Sequence, residues 1–376
     1  MSEKVLITGG AGFIGSALSL GLIDNGYSVV VLDNLSEQIH TKNYENSYTY
    51  QLIKDRVEFY SGDVRNLEDW KKVLSGVQII VHLAAETGTG QSMYQAQNYT
   101  RVNCEGTSIL CDILTAGNHS VRKVILASSR SIYGEGKYMS NDGKFIYPTY
   151  RDESKLINGD FEFYHENQKL KAVATDEFSL IQPASIYALT KYYQEEMLKI
   201  TCKSQDINFT GLRFQNVYGP GQSLTNPYTG IISIFSNRLK ENKEVYIFED
   251  GLESRDFVFI EDVCQAIQIA IKDNRLKQVV FNVGSGVATS VIDLANHLKR
   301  LMNSSSKLTI TGQYRLGDIR HNFADLTNIK NSLGFSPKVD VMEGLSRFVE
   351  WSYGQEVKCD KYDDSLKELR ERGLLK

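Results

Sequence analysis

Lys4–Thr8, KVLIT, is a short apolar run rich in β-formers, and GGAGFIG follows it at once, from Gly9 to Gly15. Behind the glycines, Leu18, Leu22 and Ile23 fall at helical spacing. A buried parallel strand, a glycine turn and a helix, in that order, leave few folds open. Gly9 and Gly12 let backbone N–H groups approach a pyrophosphate, and Gly15 lets the helix pack closely. Phe13 and Ile14 open that helix, whose free amides and partial positive charge favour an anion. The next strand, SVVVLDNL, delivers Asp33 and Asn34, with Asp33 eighteen residues beyond Gly15. A carboxylate there hydrogen-bonds the ribose hydroxyls of an adenosine and repels a 2′-phosphate, so NAD is expected rather than NADP. The plainer role for Asp33 is a strand-end cap; the glycine turn upstream weighs against it.

Strand and helix go on alternating. Residues 57–60 read as a strand before Gly62, Asp63 and Val64, with Asp63 placed to meet the adenine amino group. Residues 77–83, ending in Leu83, lead into Ala84 and Ala85, small enough for a backbone to pass a cofactor. Residues 101–116 read as a helix, and 123–128 as a strand delivering Ser129 at its carboxyl end. In a doubly wound sheet, ligands bind outside those ends. The expected class is α/β: a Rossmann doubly wound parallel sheet over residues 1–212, with a smaller C-terminal α/β substrate lobe over 213–376. Some segments of the lobe are expected to return to the first domain.

Tyr187 and Lys191, in YALTK, lie four apart. The run 185–204 is helical in pattern, with Ile186, Leu189, Tyr193, Met197 and Ile200 at spacings of three or four, so the two share a face. A free phenol, with a pKa near ~10, is a poor base at neutral pH, and a nearby cation lowers that value. Lowering it by about three units takes roughly 4 kcal/mol, which one close cation and a cationic nicotinamide can supply. Ser129, Tyr187 and Lys191 are thus a candidate set for taking a proton from an alcohol. In isolation, YxxxK reads as an exposed pair and a strand-end serine as a turn residue. Their position behind a glycine turn changes the balance.

Composition closes off other classes. The chain has 376 residues, 41% hydrophobic and 23% charged, as in an ordinary globular protein. A net charge of −4 without a basic block argues against nucleic acid as the main partner. No apolar run reaches membrane-span length, and the N-terminus enters a strand without a signal-peptide pattern, so a cytoplasmic protein is expected. Cys104, Cys111, Cys202, Cys264 and Cys359 are odd in number and form no CxxC, which fits reduced thiols and no zinc site. The histidines show no ligand spacing; His82 is either structural or near the cofactor.

Taken together, the glycine turn, Asp33, Asp63, the Ala pair, Ser129 and Tyr187–Lys191 resemble the extended short-chain dehydrogenases/reductases that act on nucleotide sugars. LRFQNVYGPG from Leu212, RDFVFIEDV from Arg255, NVGSG from Asn282 and RLGDIRHNFAD from Arg315 carry the likeness to about Trp351. It implies NAD as cofactor, with Val64 and Asn103 joining the residues above around it. It implies a nucleotide-diphosphate sugar touched by Thr87, Ser129, Arg130, Asn216, Thr229, Arg255, Arg315 and Asp318, with the two later arginines clamping the diphosphate. It also implies a homodimer joined through a four-helix bundle of the helices 101–116 and 187–204. One departure is length: 52 residues separate Gly134 from Tyr187. The insert, about 137–180, is too aromatic for a disordered linker and is expected to be an ordered surface subdomain beside the active site.

The fold does not choose the reaction. Members that remove water carry an Asp-Glu pair after the serine; here Arg130 and Ser131 stand there, which disfavours a dehydratase. SSRSIYGEGKY, YIFEDG and RLGDIRHNFADL are most similar to the dTDP-L-rhamnose 4-epimerase group. The expectation is a 4-epimerase of deoxysugar biosynthesis: Tyr187 takes the carbon-4 hydroxyl proton, Ser129 hydrogen-bonds that oxygen, Lys191 holds the nicotinamide ribose and lowers the Tyr187 pKa, and bound NAD carries the hydride. A UDP-hexose 4-epimerase and an NAD(P)-dependent ketoreductase or dehydrogenase are the alternatives. An NAD-sensing protein without catalysis would have no use for a general base.

Overall fold

The computed structural model describes residues 2–226, 228, 230–355 and 362–376. Thr229 and Cys359 lie outside them. Seven strands form the main sheet: β1 (Lys4–Thr8), β2 (Ser28–Asp33), β3 (Glu58–Ser61), β4 (Ile79–His82), β5 (Lys123–Ser129), β6 (Asn208–Phe214) and β7 (Val279–Val283). All neighbours are parallel, in the order β7-β6-β5-β4-β1-β2-β3. The order reverses between β1 and β4, which opens a crevice at their carboxyl ends.

Continuous apolar strands such as SVVVLD follow from burial on both faces. On one face, helix α1 (Phe13–Asp24) and a later helix from the second half of the chain bury Leu18, Leu22, Ile267 and Ile271 against Val5, Ile7 and Phe281. On the other, helix α2 (Gly106–Ala116) and helix α3 (Ile186–Ser204) bury Leu110, Leu114 and Leu198 with Trp70 and Phe209. Ser185 caps α3, its hydroxyl accepting from the Ala188 N–H at 3.1 Å. The helix expected over 101–116 begins instead with wider π-type turns at Thr100–Glu105. Such turns are frequent at functional sites.

Beyond β6 the chain builds the second lobe on a small sheet of Asn216–Tyr218, Ser254–Phe259 and Ala288–Ser290, with His321–Asn322 alongside. Helix α4 (Ile260–Lys272) and β7 rejoin the main sheet, so the two lobes share one core. The insert forms a three-stranded antiparallel sheet of Tyr138–Met139, Phe145–Ile146 and Lys171–Ala172 over a core of Tyr138, Phe163 and Leu170. It is riveted to the second lobe by Arg320, fully buried, which meets Glu162 of the insert at 2.7 Å and Asp250 and Glu249 of the lobe at 2.7 and 2.9 Å. A buried guanidinium needs this many acceptors to offset its desolvation.

Candidate active site

A cavity of about 1340 Å³ opens at the carboxyl ends of the strands. It runs from the glycine turn to Tyr187 and on to the second lobe. Gly9, Gly12, Phe13, Ile14, Gly15, Asp33, Asn34, Val64, Leu83, Ala84 and Ala85 all line it. Gly9 has φ +69°, and a Cβ there would stand 2.8 Å from the Ala84 nitrogen. A Cβ at Gly15 would stand 2.5 Å from the Gly9 carbonyl oxygen, so Gly15 seats the helix against the turn itself. Gly10 does the packing on the neighbouring strand: a Cβ would meet the Val31 methyls at 2.7 Å. The turn is thus a cradle that any side chain would fill, and its open amides suit the diphosphate of a dinucleotide.

Asp33 is buried at the end of β2 and aimed by two backbone donors, Ala11 N–H at 2.9 Å and Leu35 N–H at 2.8 Å. Burial pushes its carboxyl up; the Leu35 N–H, His40 and Ala11 pull it back. The second lone pair on each oxygen remains for ribose hydroxyls. Two other residues expected at the cofactor sit elsewhere. The Asp63 carboxylate is chelated by Arg65, Nε at 2.8 Å and Nη2 at 2.6 Å, and takes an Asn34 amide N–H at 3.1 Å. Arg65 holds its carboxyl down at about 2. Asn103 stands behind the wall: Oδ1 accepts from Glu86 N–H at 2.8 Å, and Nδ2 donates to Glu86 O at 3.1 Å and Thr190 Oγ1 at 2.9 Å. It ties the chain leaving β4 to α3.

At the far end Ser129, Tyr187 and Lys191 share the cavity wall. Ser129 Oγ accepts from the Ser131 N–H at 3.1 Å and from the Ser131 hydroxyl at 2.9 Å. With both lone pairs taken, its own proton is left for the Tyr187 phenol, which it pulls down. Sequence reasoning did not see that Ser131 holds Ser129; its spacing from Ser129 in SSRS was the available signal. Lys191 Nζ is buried and donates to Ala127 O at 2.9 Å and Gln194 Oε1 at 3.0 Å, leaving one N–H. Burial pulls its ammonium down to about 7. Burial also raises the Tyr187 phenol, and the opposing pulls come from Ser129 and the Arg130 guanidinium. The protein cation pulling on Tyr187 here is Arg130, which is itself desolvated and pulled down to about 10. His82 is structural, its ring between Thr8 Oγ1 at 2.8 Å and Thr107 Oγ1 at 3.2 Å, with burial pulling it down to about 3.

Of the residues expected at the substrate, Thr87, Arg130 and Asn216 line the cavity. Arg255, Arg315 and Asp318 are not on its wall among the described residues. Arg255 spends its guanidinium on the carbonyls of Ser254, Ile319 and Arg320 and on Asp318 at 3.1 Å. Arg315 stacks on the Phe248 ring, 4.4 Å from its centroid. The lobe wall is instead polar through Gln222, Ser223, Thr225 and Tyr228. No residue of 137–180 lines the cavity among those described, so the insert buttresses the lobe from outside.

The family model for the NAD dependent epimerase/dehydratase family matches residues 5–154 and 161–284. The chain belongs to that family. It is an NAD-dependent enzyme of the nucleotide-sugar epimerase group. It is 37% identical over 352 residues to the dTDP-L-rhamnose 4-epimerase of Burkholderia thailandensis, covering 93% of this chain and 94% of the relative. It is 30% identical to a putative UDP-glucose 4-epimerase of Methanocaldococcus jannaschii, covering 92% and 97%. Among solved structures, the UDP-glucose 4-epimerase of Thermotoga maritima with UDP-glucose aligns at a TM-score of 0.76 and 29% identity over 93% and 99% of the chains. The UDP-glucuronic acid 4-epimerase of Bacillus cereus, with UDP-glucuronic acid and NAD, aligns at 0.77 and 25% over the same shares. Among the described residues no helix is long and apolar enough to cross a membrane.

Proposed function

We propose that this epimerase inverts carbon 4 of a nucleotide-diphosphate sugar, with dTDP-L-rhamnose as the first substrate to try. The observation that carries it is the convergence of Ser129, Tyr187 and Lys191 on one wall of a cavity whose other end is the glycine cradle. NAD, when bound, would supply the hydride acceptor for carbon 4, and inversion would follow because the 4-keto sugar turns its other face before the hydride returns. Tyr187 takes and returns the proton of the carbon-4 hydroxyl. Ser129, oriented by Ser131, hydrogen-bonds the same oxygen. Lys191 offers its free N–H to the nicotinamide ribose. Neither Arg130 nor Ser131 is a carboxylate, so no acid–base pair stands beside Ser129 to expel water. Gly9 and Gly12 would let the turn's amides hold the diphosphate of the cofactor, with Gly15 seating the helix behind them, and Asp33 would hold its adenosine ribose. Asn216 and the polar lobe wall face the nucleotide sugar. The 37% identity to a dTDP-L-rhamnose 4-epimerase supports that sugar over a UDP-hexose.

The same reading includes a dimer. Helices α2 and α3 pack side by side, and α3 leaves Leu189, Tyr193 and Ile200 42–67% exposed. A second copy of the pair would cover them as a four-helix bundle. Ile200→Asp should then sediment as a monomer; an unchanged dimer would place the interface elsewhere. Incubating the purified enzyme with dTDP-L-rhamnose and a panel of UDP-sugars tests the activity. NMR should show a carbon-4 epimer with no added NADH. A product formed only in step with NADH consumption would make the enzyme a ketoreductase instead.

A further inference from the structure

Two loops that leave the sheet on either side of the glycine turn are joined above it. Gln38 belongs to a short helix after β2, Glu37–His40, and Gln91 to one after β4, Thr89–Ser92. Their side-chain amides are reciprocally hydrogen-bonded: Gln38 Nε2 donates to Gln91 Oε1 at 3.0 Å, and Gln91 Nε2 donates to Gln38 Oε1 at 3.0 Å. In the sheet, β1 lies between β4 and β2. The two strands are therefore separated by about 9–10 Å, two strand spacings. The two loops leave the carboxyl ends of strands that flank β1, at whose own carboxyl end Gly9 begins the turn.

Each half of the bridge is held from behind. Tyr99, buried, donates its hydroxyl to Thr87 O at 2.6 Å with Gln91 Oε1 3.1 Å from the same oxygen, and its ring stands edge-on to Tyr187 with centroids 6.4 Å apart. On the other side, the chain beyond Gln38 rests on the second lobe, where the Tyr48 ring meets Trp351 at 5.5 Å. Gln38 lines the same cavity as Gly9 and Gly12, while Gln91 is buried and holds it from off the wall.

We propose that Gln38 and Gln91 are a clasp over the diphosphate of bound NAD, which keeps the cofactor in place through each turnover. An enzyme that regenerates its own cofactor has no need to let it go, and a 4-keto sugar would be stranded if it did. The clasp rests on NAD being the cofactor and is independent of which sugar is bound. Leaving requires both amide hydrogen bonds to break together, so their loss should show in the rate of release before it shows anywhere else.

The test is the NAD off-rate. Enzyme loaded with NAD is diluted into a large excess of an NAD-scavenging dehydrogenase, and retained NAD is measured in acid supernatants after gel filtration. Gln38→Ala should release NAD at least tenfold faster than the parent, with its thermal midpoint within a few degrees. If Gln38→Ala fails to fold by circular dichroism, Gln38→Asn, one methylene shorter and too short to reach Gln91, should show the same faster release. Release within twofold of the parent in a folded variant would overturn the clasp. A parent enzyme that already loses NAD on gel filtration within minutes would overturn it as well.

Discussion

Replacing Lys191 by Met should make the cofactor-free protein more stable at neutral pH while disabling it. The Lys191 ammonium is buried and pulled down to about 7, whereas an unfolded lysine titrates near ~10.4. A group with a depressed cationic pKa binds its proton more tightly unfolded than folded. Its charging therefore destabilises the fold below about pH 10, and stability rises as pH climbs from about 7 towards 10. From those two values the cost is about 4 kcal/mol at pH 7 and about 2 kcal/mol at pH 9. Met removes that cost. It also strands the Gln194 oxygen and the Ala127 carbonyl, which costs about 1–3 kcal/mol at any pH. The variant should gain about 1–3 kcal/mol on the parent at pH 7, and the gap should shift by about 2 kcal/mol in favour of the parent by pH 9. Urea unfolding of both proteins, stripped of NAD, at pH 7 and pH 9 measures this, because the other titrating groups cancel in the difference. A gap that does not move with pH would mean that Lys191 is not depressed.

Three further outcomes follow from the site. Tyr187→Phe should lower kcat by about 10²–10⁴ while substrate affinity, by calorimetry, stays within a few-fold; retained activity would put the base elsewhere. Arg130→Met removes the cation that pulls the Tyr187 phenol down, so the rising acid limb of the kcat profile should move to higher pH by about one unit, and an unmoved limb would show that Arg130 does not act on Tyr187. Asp33→Ser should bring NADP affinity towards that of NAD, because a 2′-phosphate no longer meets a carboxylate; equal affinities in the parent, by calorimetry, would refute this.

The parts of the site that could be read from sequence are those with a local pattern. The strand, glycine turn and helix are contiguous, and their geometry is fixed by three glycines without help from elsewhere. Tyr187 and Lys191 share a helix face by periodicity alone. Ser129 was legible through the strand that carries it. What stayed hidden depends on pairings across the chain. Gln38 and Gln91 are 53 positions apart and look like ordinary surface amides until β2 and β4 are placed on either side of β1. Arg255 matches a ligand motif, yet its guanidinium is consumed by carbonyls at 319 and 320, which no local pattern announces. Lys191 was legible by its place on a helix face, but the burial that pulls its ammonium down is a property of the whole fold. The wider turns at Thr100–Glu105 left no mark because apolar spacing over 101–116 hardly distinguishes α from π geometry.

The most direct test of the central claim follows one hydrogen atom. A nucleotide sugar carrying deuterium at carbon 4, dTDP-L-rhamnose first, is converted by the enzyme in ordinary water, and the product is read by NMR and mass spectrometry. Inversion at carbon 4 with Tyr187 handling only the oxygen-bound proton predicts that the product keeps the label at carbon 4 and takes up no solvent hydrogen at its neighbours. Solvent deuterium entering carbon 3 or carbon 5 in the reverse experiment, or the label passing to free cofactor, would contradict a 4-epimerase.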